Sequence, residues 1–129
     1  QFRASLNFAG PLLARFGRAE IPLPGGCDLG MRSIEAHTQA FMKLGVSISC
    51  GKGMVAFEAP KKIRESYRVW QIEASVTATE NVAIYAAGIL SKVNLIDAAC
   101  EPHVSDVLTL LSAMGARIGG IGSNRLEIG

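Results

Sequence analysis

Apolar residues recur at the same helical spacing in two segments of the chain. The matching residues are Ile34, Phe41, Leu44, Gly45 and Ile48 in the first segment and Val104, Leu111, Met114, Gly115 and Ile118 in the second. The offset between Gly45 and Gly115 is 70 residues, and it is constant through both segments. Spacings of seven and ten residues keep side chains on one helix face, and glycine commonly follows a helix end. The pattern therefore predicts an internal repeat.

Each copy of the repeat is predicted to contain a strand, a helix, a second strand, a second helix and a β-hairpin. The predicted elements of the first copy are Arg3–Phe8, Pro11–Phe16, Ala19–Leu23, a helix after Arg32, Val46–Ser49 and Met54–Phe57. Those of the second are Val69–Ser75, Glu80–Leu90, Val93–Ile96, a helix from Pro102, Ala116–Ile118 and Arg125–Ile128. We expect Lys61–Arg68 to connect the two copies. We also expect Thr79 to be the N-cap of the helix Glu80–Leu90. Glu80–Leu90 is apolar on nearly every side, which predicts a buried helix.

Composition and charge exclude several classes of protein. The 129 residues are 49% hydrophobic and 19% charged, with a net charge of +2, so we expect a folded domain without the basic stripe of a nucleic-acid-binding surface. The three cysteines form no CxxC pair, so no zinc site is predicted. No apolar run is long enough for a membrane span, and the first residues lack the order of a secretory signal. We therefore expect a cytoplasmic protein, and the absence of an initiator Met suggests a piece of a longer one.

The stretch PLPGGCDLGMR places Cys27 between two glycines and Arg32. Glycines permit the backbone movement of a closing loop, and a nearby guanidinium favours the thiolate, whereas Asp28 disfavours it. The second copy makes the same crossing, LIDAACEPH, without glycines. A reactive thiol is thus one interpretation and an idle thiol in a turn is the other, and the residues alone leave both open.

The whole chain resembles the family of UDP-N-acetylglucosamine enolpyruvyl transferases, also called 1-carboxyvinyltransferases, which serve the first committed step of bacterial peptidoglycan synthesis. The segments that carry the resemblance are FRASL, GPLLARFG, LPGGCDLGMR, EAH, SVTATEN, AACEP and MGARIGG, in this order. The PGGC loop with an arginine five residues after the cysteine is the most specific of them.

The resemblance implies an α/β fold, an inside-out barrel built from βαβαββ repeats, three to a domain, with the active site between two domains. This chain would supply two of the three repeats of the domain that carries the catalytic loop: residues 1–60 as the first, 61–68 as the connection and 69–129 as the second. The resemblance implies no metal and no organic cofactor. It also implies phosphoenolpyruvate and UDP-N-acetylglucosamine as substrates, and that the fragment alone is inactive.

The resemblance also assigns roles to individual residues. Cys27 matches the catalytic cysteine that adds to phosphoenolpyruvate, is placed to donate a proton and is the target of fosfomycin. The substrate-binding matches are Arg32 for phosphate groups; Arg3, which faces the substrates; Ser33 and Ile34; Glu35 and His37, where the family has an aspartate and a histidine near the uridine; and Ser75, Val76 and Thr77 for the diphosphate. Solvated arginines are the alternative for Arg3 and Arg32, and a partly buried histidine with satisfied hydrogen bonds is the alternative for His37.

Two departures from the family pattern leave the acceptor open. Thr77 stands where the family has glycine, and Glu73 stands where it often has lysine, so an enolpyruvyl transferase with another acceptor is the second hypothesis. A non-catalytic binding or structural module is the third. If one repeat is missing, apolar helices lose part of their cover, so we also expect the fragment to self-associate.

Overall fold

The computed structural model describes residues 5–23, 34–89 and 91–129, and the helices and strands of this part of the chain follow the predicted order from the first helix onward. In the first copy they are α1 (Ala9–Phe16), β1 (Arg18–Pro22), α2 (Glu35–Lys43), β2 (Ser47–Gly51) and β3 (Met54–Glu58). In the second they are β4 (Ser66–Trp70), α3 (Val76–Gly88), β5 (Lys92–Ile96), α4 (Pro102–Ala113), β6 (Ile118–Gly119) and β7 (Arg125–Ile128).

The strands of each copy form a separate sheet, and the two sheets share one topology. Strand β3 lies between β1 and β2 and is antiparallel to both. Strand β7 likewise lies between β5 and β6 and is antiparallel to both, while β4 extends the second sheet parallel to β5. The repeated arrangement confirms the predicted α/β fold and shows the repeat in space.

Glycines set the turns that the repeat needs. Helix α1 ends at Gly17, whose φ is 76° and whose N–H donates to the carbonyl of Leu13. Strands β2 and β3 are joined by Lys52 and Gly53, with φ values of 53° and 71°. Positive φ at both central residues is typical of a type I′ turn, whose twist matches that of paired strands.

Helix α3 lies at the centre of the described structure and packs closely on α1. Val82, Ala83 and Tyr85 are fully buried, as an all-round apolar helix predicts. A Cβ at Gly10 would lie 2.2 Å from the carbonyl oxygen of Asn81, so only glycine allows the two helices to approach this closely. The first helices of the two copies therefore form one interface inside the core.

The lead strand predicted for the first copy is wrong over its described residues. Ser5 and Leu6 are helical, and the N–H of Phe8 donates to the carbonyl of Ser5 in a turn that leads into α1. The side chain of Leu6 is buried in the hydrophobic core, and its carbonyl accepts a hydrogen bond from Asn81 Nδ2, which ties this turn to α3. Arg3 lies outside the described residues.

The elements at the start of the second copy are displaced from their predictions. Strand β4 begins at Ser66, inside the predicted connection, and ends at Trp70, and it buries Tyr67 and Val69 on one face. Helix α3 begins one turn earlier than predicted, because Ser75 and not Thr79 is its N-cap: the Ser75 Oγ accepts a hydrogen bond from the N–H of Ala78. Helix α3 ends at Gly88, and Leu90 lies outside the described residues.

Equivalent helix faces of the two copies differ in how far their apolar side chains are buried. On α2, Phe41 and Leu44 are fully buried, and the Phe41 ring packs edge-on against Tyr85 of α3 at 5.8 Å between centroids. On α4, the equivalent Leu111 is only partly buried and Met114 is 75% exposed. An open groove of about 1350 Å³ runs here between α4, the end of α3 and β6. We call this groove, with Leu111, Met114 and Ile118, the open face.

Candidate functional site

The first turn of α3 carries the Ser75–Val76–Thr77 stretch that the sequence singled out. Ser75 is extended, with φ −78° and ψ 127°, and its hydroxyl accepts from Ala78, so the cap leaves the N–H groups of Val76 and Thr77 pointing out of the helix end. In the described part of the chain neither N–H has an acceptor. All three side chains are partly exposed. Free N–H groups and the helix dipole favour an anion at such a position.

A buried hydrogen-bond chain fixes the side chain of Asn81 behind this turn. The Gly10 N–H donates to Asn81 Oδ1 at 2.6 Å, and Asn81 Nδ2 donates to the carbonyl of Leu6 at 2.9 Å. A backbone N–H can only donate and a carbonyl can only accept, so these two partners determine which end of the amide is which. Asn81 Nδ2 therefore also donates to His37 Nδ1, at 3.1 Å.

The Asn81 amide in turn determines the tautomer of His37. Because Nδ1 accepts, the proton of the neutral ring is on Nε2, which donates to Thr77 Oγ1 at 3.1 Å. Burial lowers the pKa of His37 to about 4, so the ring is neutral near pH 7. The structure thus agrees with a buried histidine whose two nitrogens are both satisfied, which was one of the two interpretations of this residue.

The other sequence-predicted residues fall into two groups. Glu35 is exposed on the first turn of α2, two residues before His37, while the side chain of Ile34 is part of the hydrophobic core and is not available to a ligand. Cys27, Arg3, Arg32 and Ser33 lie outside the described residues. The structure therefore brings together α2 and α3 through His37 and Thr77.

Two further polar residues support the first turn of α3. The Thr79 hydroxyl accepts from the N–H of Ala99 at 2.9 Å and lies within hydrogen-bond distance of Gln71 Oε1 and the Ser75 carbonyl. Gln71 is 3% exposed, and its Nε2 has no acceptor among the described residues. Sequence reasoning missed Gln71 and Asn81, although Asn81 gave one signal: it is an amide in an otherwise apolar stretch of helix.

The described ranges contain neither a metal-binding cluster nor a membrane-spanning helix. No group of three His, Cys, Asp or Glu side chains there is arranged to hold a metal ion. No helix within the same ranges is both long and apolar enough to cross a bilayer.

Curated relatives of this chain are enzymes that share one name. The chain is 48% identical over 129 residues to the UDP-N-acetylglucosamine 1-carboxyvinyltransferase of Treponema pallidum, a match that covers 98% of this chain and 29% of that protein. It is 40% identical over 128 residues to the protein of the same name from Wolinella succinogenes, covering 99% of this chain and 30% of the relative. The chain thus spans about 30% of the length of these curated relatives.

A solved structure shows the same fold at lower sequence identity. The enolpyruvyl transferase NikO from Streptomyces tendae superposes with a TM-score of 0.68 and 19% identity, covering 91% of this chain and 27% of that one. The family model of EPSP synthase (3-phosphoshikimate 1-carboxyvinyltransferase) matches residues 1–129. Because this match extends over the whole chain, the protein belongs to the EPSP synthase family.

Proposed function

We propose that the intact protein containing this chain transfers the enolpyruvyl group of phosphoenolpyruvate to the 3-hydroxyl of UDP-N-acetylglucosamine. The observation that carries the proposal is 40–48% identity, over nearly the full chain, to relatives named UDP-N-acetylglucosamine 1-carboxyvinyltransferase. The product would enter peptidoglycan synthesis, and the reaction would take place in the cytoplasm. The chain would contribute two of the three repeats in one domain of a two-domain enzyme.

The proposed reaction balances without a redox partner. The acceptor hydroxyl loses its proton to solvent as its oxygen bonds to C2 of phosphoenolpyruvate, and the methylene carbon gains a proton. The bond between C2 and the phosphate oxygen then breaks as that carbon gives a proton back to solvent, which leaves the enolpyruvyl ether and free phosphate. Cys27 is the proposed donor of the first proton and the site of fosfomycin attack. Arg3 and Arg32 are proposed to bind phosphate groups, since a guanidinium keeps its charge and offers a planar set of donors.

The proposed acceptor site uses the residues at the start of α2 and α3. The N–H groups of Val76 and Thr77, with the Ser75 cap, suit the diphosphate. Ser33, Ile34 and Glu35 are proposed to lie toward the uridine; Ile34 would act through its backbone, because its side chain is in the core. His37 has both ring nitrogens engaged within the protein, so its proposed role is to hold Thr77.

Phosphate release by the intact protein tests the proposal. We expect release to require both phosphoenolpyruvate and UDP-N-acetylglucosamine, to be blocked by fosfomycin and to be lost in Cys27→Ala. A Cys100→Ala variant is the matched control, because Cys100 is an exposed free thiol at the start of α4. Release that does not respond to UDP-N-acetylglucosamine would contradict the proposal.

A different acceptor is the second candidate function. Glu73 is exposed two residues before the α3 cap, where its carboxylate would repel a diphosphate. Calorimetric titration of the intact protein with UDP-N-acetylglucosamine separates the two candidates. Binding would support the first, and absence of binding with retained phosphoenolpyruvate binding would favour the second.

A further inference from the structure

Cys50 on β2 is joined to another cysteine by a disulfide bond. The chain has three cysteines, at positions 27, 50 and 100. Cys100 is a free, exposed thiol just before α4. Within this chain Cys27 is therefore the thiol left to pair with Cys50, and it lies outside the described residues.

The side chain of Cys50 lies on the core-facing side of the first sheet. Cys50 is opposite Val55 of β3, and Val55 is opposite Ile21 of β1. Directly opposite residues place their side chains on the same face of a sheet, and Val55 and Ile21 are both buried there. Cys50 packs against the same core but is only partly buried, and β2 is an edge strand. Its sulfur is thus at the margin of the core, where another part of the chain can reach it.

The chain that leads to Cys27 is fixed at the same end of this sheet. The Leu23 N–H donates to the carbonyl of Gly53 at 2.7 Å, which holds residue 23 beside the β2–β3 hairpin. Two strand spacings and a two-residue step along the sheet put Leu23 about 12 Å from Cys50. The four residues from Leu23 to Cys27 span up to about 14 Å, and the Cα atoms of disulfide-bonded residues are about 6 Å apart. Cys27 is therefore within reach of Cys50.

We propose that Cys27 and Cys50 form a reversible disulfide that switches off the catalytic thiol when a hydroperoxide is present. This inference rests on the proposed function, in which Cys27 donates the first proton: a sulfur bonded to Cys50 has no proton to give. In reducing compartments, disulfides of this kind are transient and serve catalysis or redox sensing.

The proposed oxidation uses one hydroperoxide and two thiols. The Cys27 thiolate attacks the O–O bond of hydrogen peroxide, which breaks to give a sulfenic acid and, with the thiol proton, one water. The Cys50 sulfur then attacks the sulfenic sulfur, so that the S–S bond forms, the S–O bond breaks and a second water leaves with the Cys50 proton. Two electrons pass from the two sulfurs to the peroxide, and a dithiol reductant returns them.

Peroxide treatment of the intact protein, followed by tryptic digestion without reductant, tests the pairing. Cleavage after arginine and lysine places Cys27, Cys50 and Cys100 in separate peptides, residues 19–32, 44–52 and 93–117. We expect peptide 19–32 to be linked to peptide 44–52, with the loss of two hydrogen atoms. Phosphate release should be lost in the oxidised protein and should return fully with dithiothreitol.

Cys50→Ser removes the partner thiol and Cys100→Ser is its matched control. Reduced Cys50→Ser should release phosphate like the wild type. After peroxide it should form no link and stay inactive in dithiothreitol, because an unpartnered sulfenic acid is oxidised further to sulfinic acid. Cys100→Ser should behave like the wild type throughout. Thermal unfolding verifies that both variants are folded, and the linked peptide is measured on the wild type itself.

The outcomes separate this inference from the proposed function. A link from peptide 19–32 to peptide 93–117, or no link after peroxide, would overturn the pairing and leave the proposed function intact. Equal recovery of the wild type and Cys50→Ser would overturn the role of Cys50. A wild-type protein that forms the link but releases no phosphate when reduced would overturn the proposed function and leave the pairing intact.

Discussion

His37 is a buried base held in its neutral form, and this has a consequence for stability in acid. In the unfolded chain its pKa returns to about 6.5, whereas burial lowers the pKa in the folded protein to about 4. Between these values the unfolded state binds the extra proton and the folded state does not. The titration of His37 should therefore leave the free energy of unfolding unchanged above pH 6.5 and should lower it as the pH decreases toward 4.

Urea unfolding at a series of pH values measures this effect. From the two pKa values we expect His37 to cost about 3 kcal/mol of unfolding free energy between pH 6.5 and pH 4. His37→Gln should reduce the slope over this interval, whatever it does to stability at pH 7. Equal slopes for the wild type and His37→Gln would show that His37 is not held neutral.

The family resemblance identified Ser75, Val76 and Thr77, whereas the pattern of polar and apolar residues placed the start of α3 one turn too late, at Thr79. Neither showed which residues hold this turn in place. The partners of Asn81 could not be found, since Gly10 and Leu6 precede it by 71 and 75 residues. No local pattern reports a contact over that separation.

Close packing between α1 and α3 limits which substitutions their small residues can tolerate. A Cβ at Gly10 would lie 2.2 Å from the Asn81 carbonyl oxygen, and a Cβ at Gly88 would lie 2.6 Å from Ala14 Cβ. The first of these neighbours is backbone of a buried helix, which cannot move aside without shifting α3. The Gly10 contact is therefore the more restrictive of the two.

Replacement of Gly10 by alanine tests this element-scale constraint. We expect Gly10→Ala to lower the free energy of unfolding by about 1 to 3 kcal/mol despite alanine's better helix propensity, because overpacking separates the helices. Gly51→Ala is the control, since a Cβ there meets nothing within 4 Å. Chemical denaturation measures both. A Gly10→Ala protein as stable as the wild type would contradict the close approach.

Element order could be predicted from the sequence better than element boundaries could. The period of the apolar residues and the glycine stops gave the hairpins and the helices, and Gly17, Gly45 and Gly115 have positive φ as such stops require. Both lead strands were misplaced, because residues 5 and 6 are helical and because β4 begins at Ser66, inside the stretch Lys61–Arg68 that was predicted as the connection. Tertiary contacts decide both cases.

At the scale of the whole chain, the two copies are not equally covered. Tyr85 of the second copy packs on Phe41 of the first, whereas Leu111 is only partly buried and Met114 is exposed on the open face. An apolar groove of this kind in an isolated chain is a site for association with another copy. We therefore expect the 129-residue chain, separated from the rest of the protein, to self-associate.

Light scattering at rising concentration measures this association. Met114→Gln should shift the isolated chain toward a monomer, because it places a polar group on the open face. Met42→Gln makes the same change on α2, where Met42 is 53% exposed and lies outside the groove, and should leave association unchanged. A monodisperse wild-type monomer, or an equal effect of both variants, would exclude the open face as the contact.

The hydrogen bonds of Asn81 also bear on how the chain folds as it is made. The ribosome releases α1 long before α3, and until Asn81 emerges the Gly10 N–H and the Leu6 carbonyl have only water as partners. Contacts over such separations close late and slowly. The first copy therefore remains incompletely folded during synthesis. A ribosome stalled before α3 should hold a nascent chain that is sensitive to protease, and the chain should become resistant only once residues beyond Gly88 have left the ribosome.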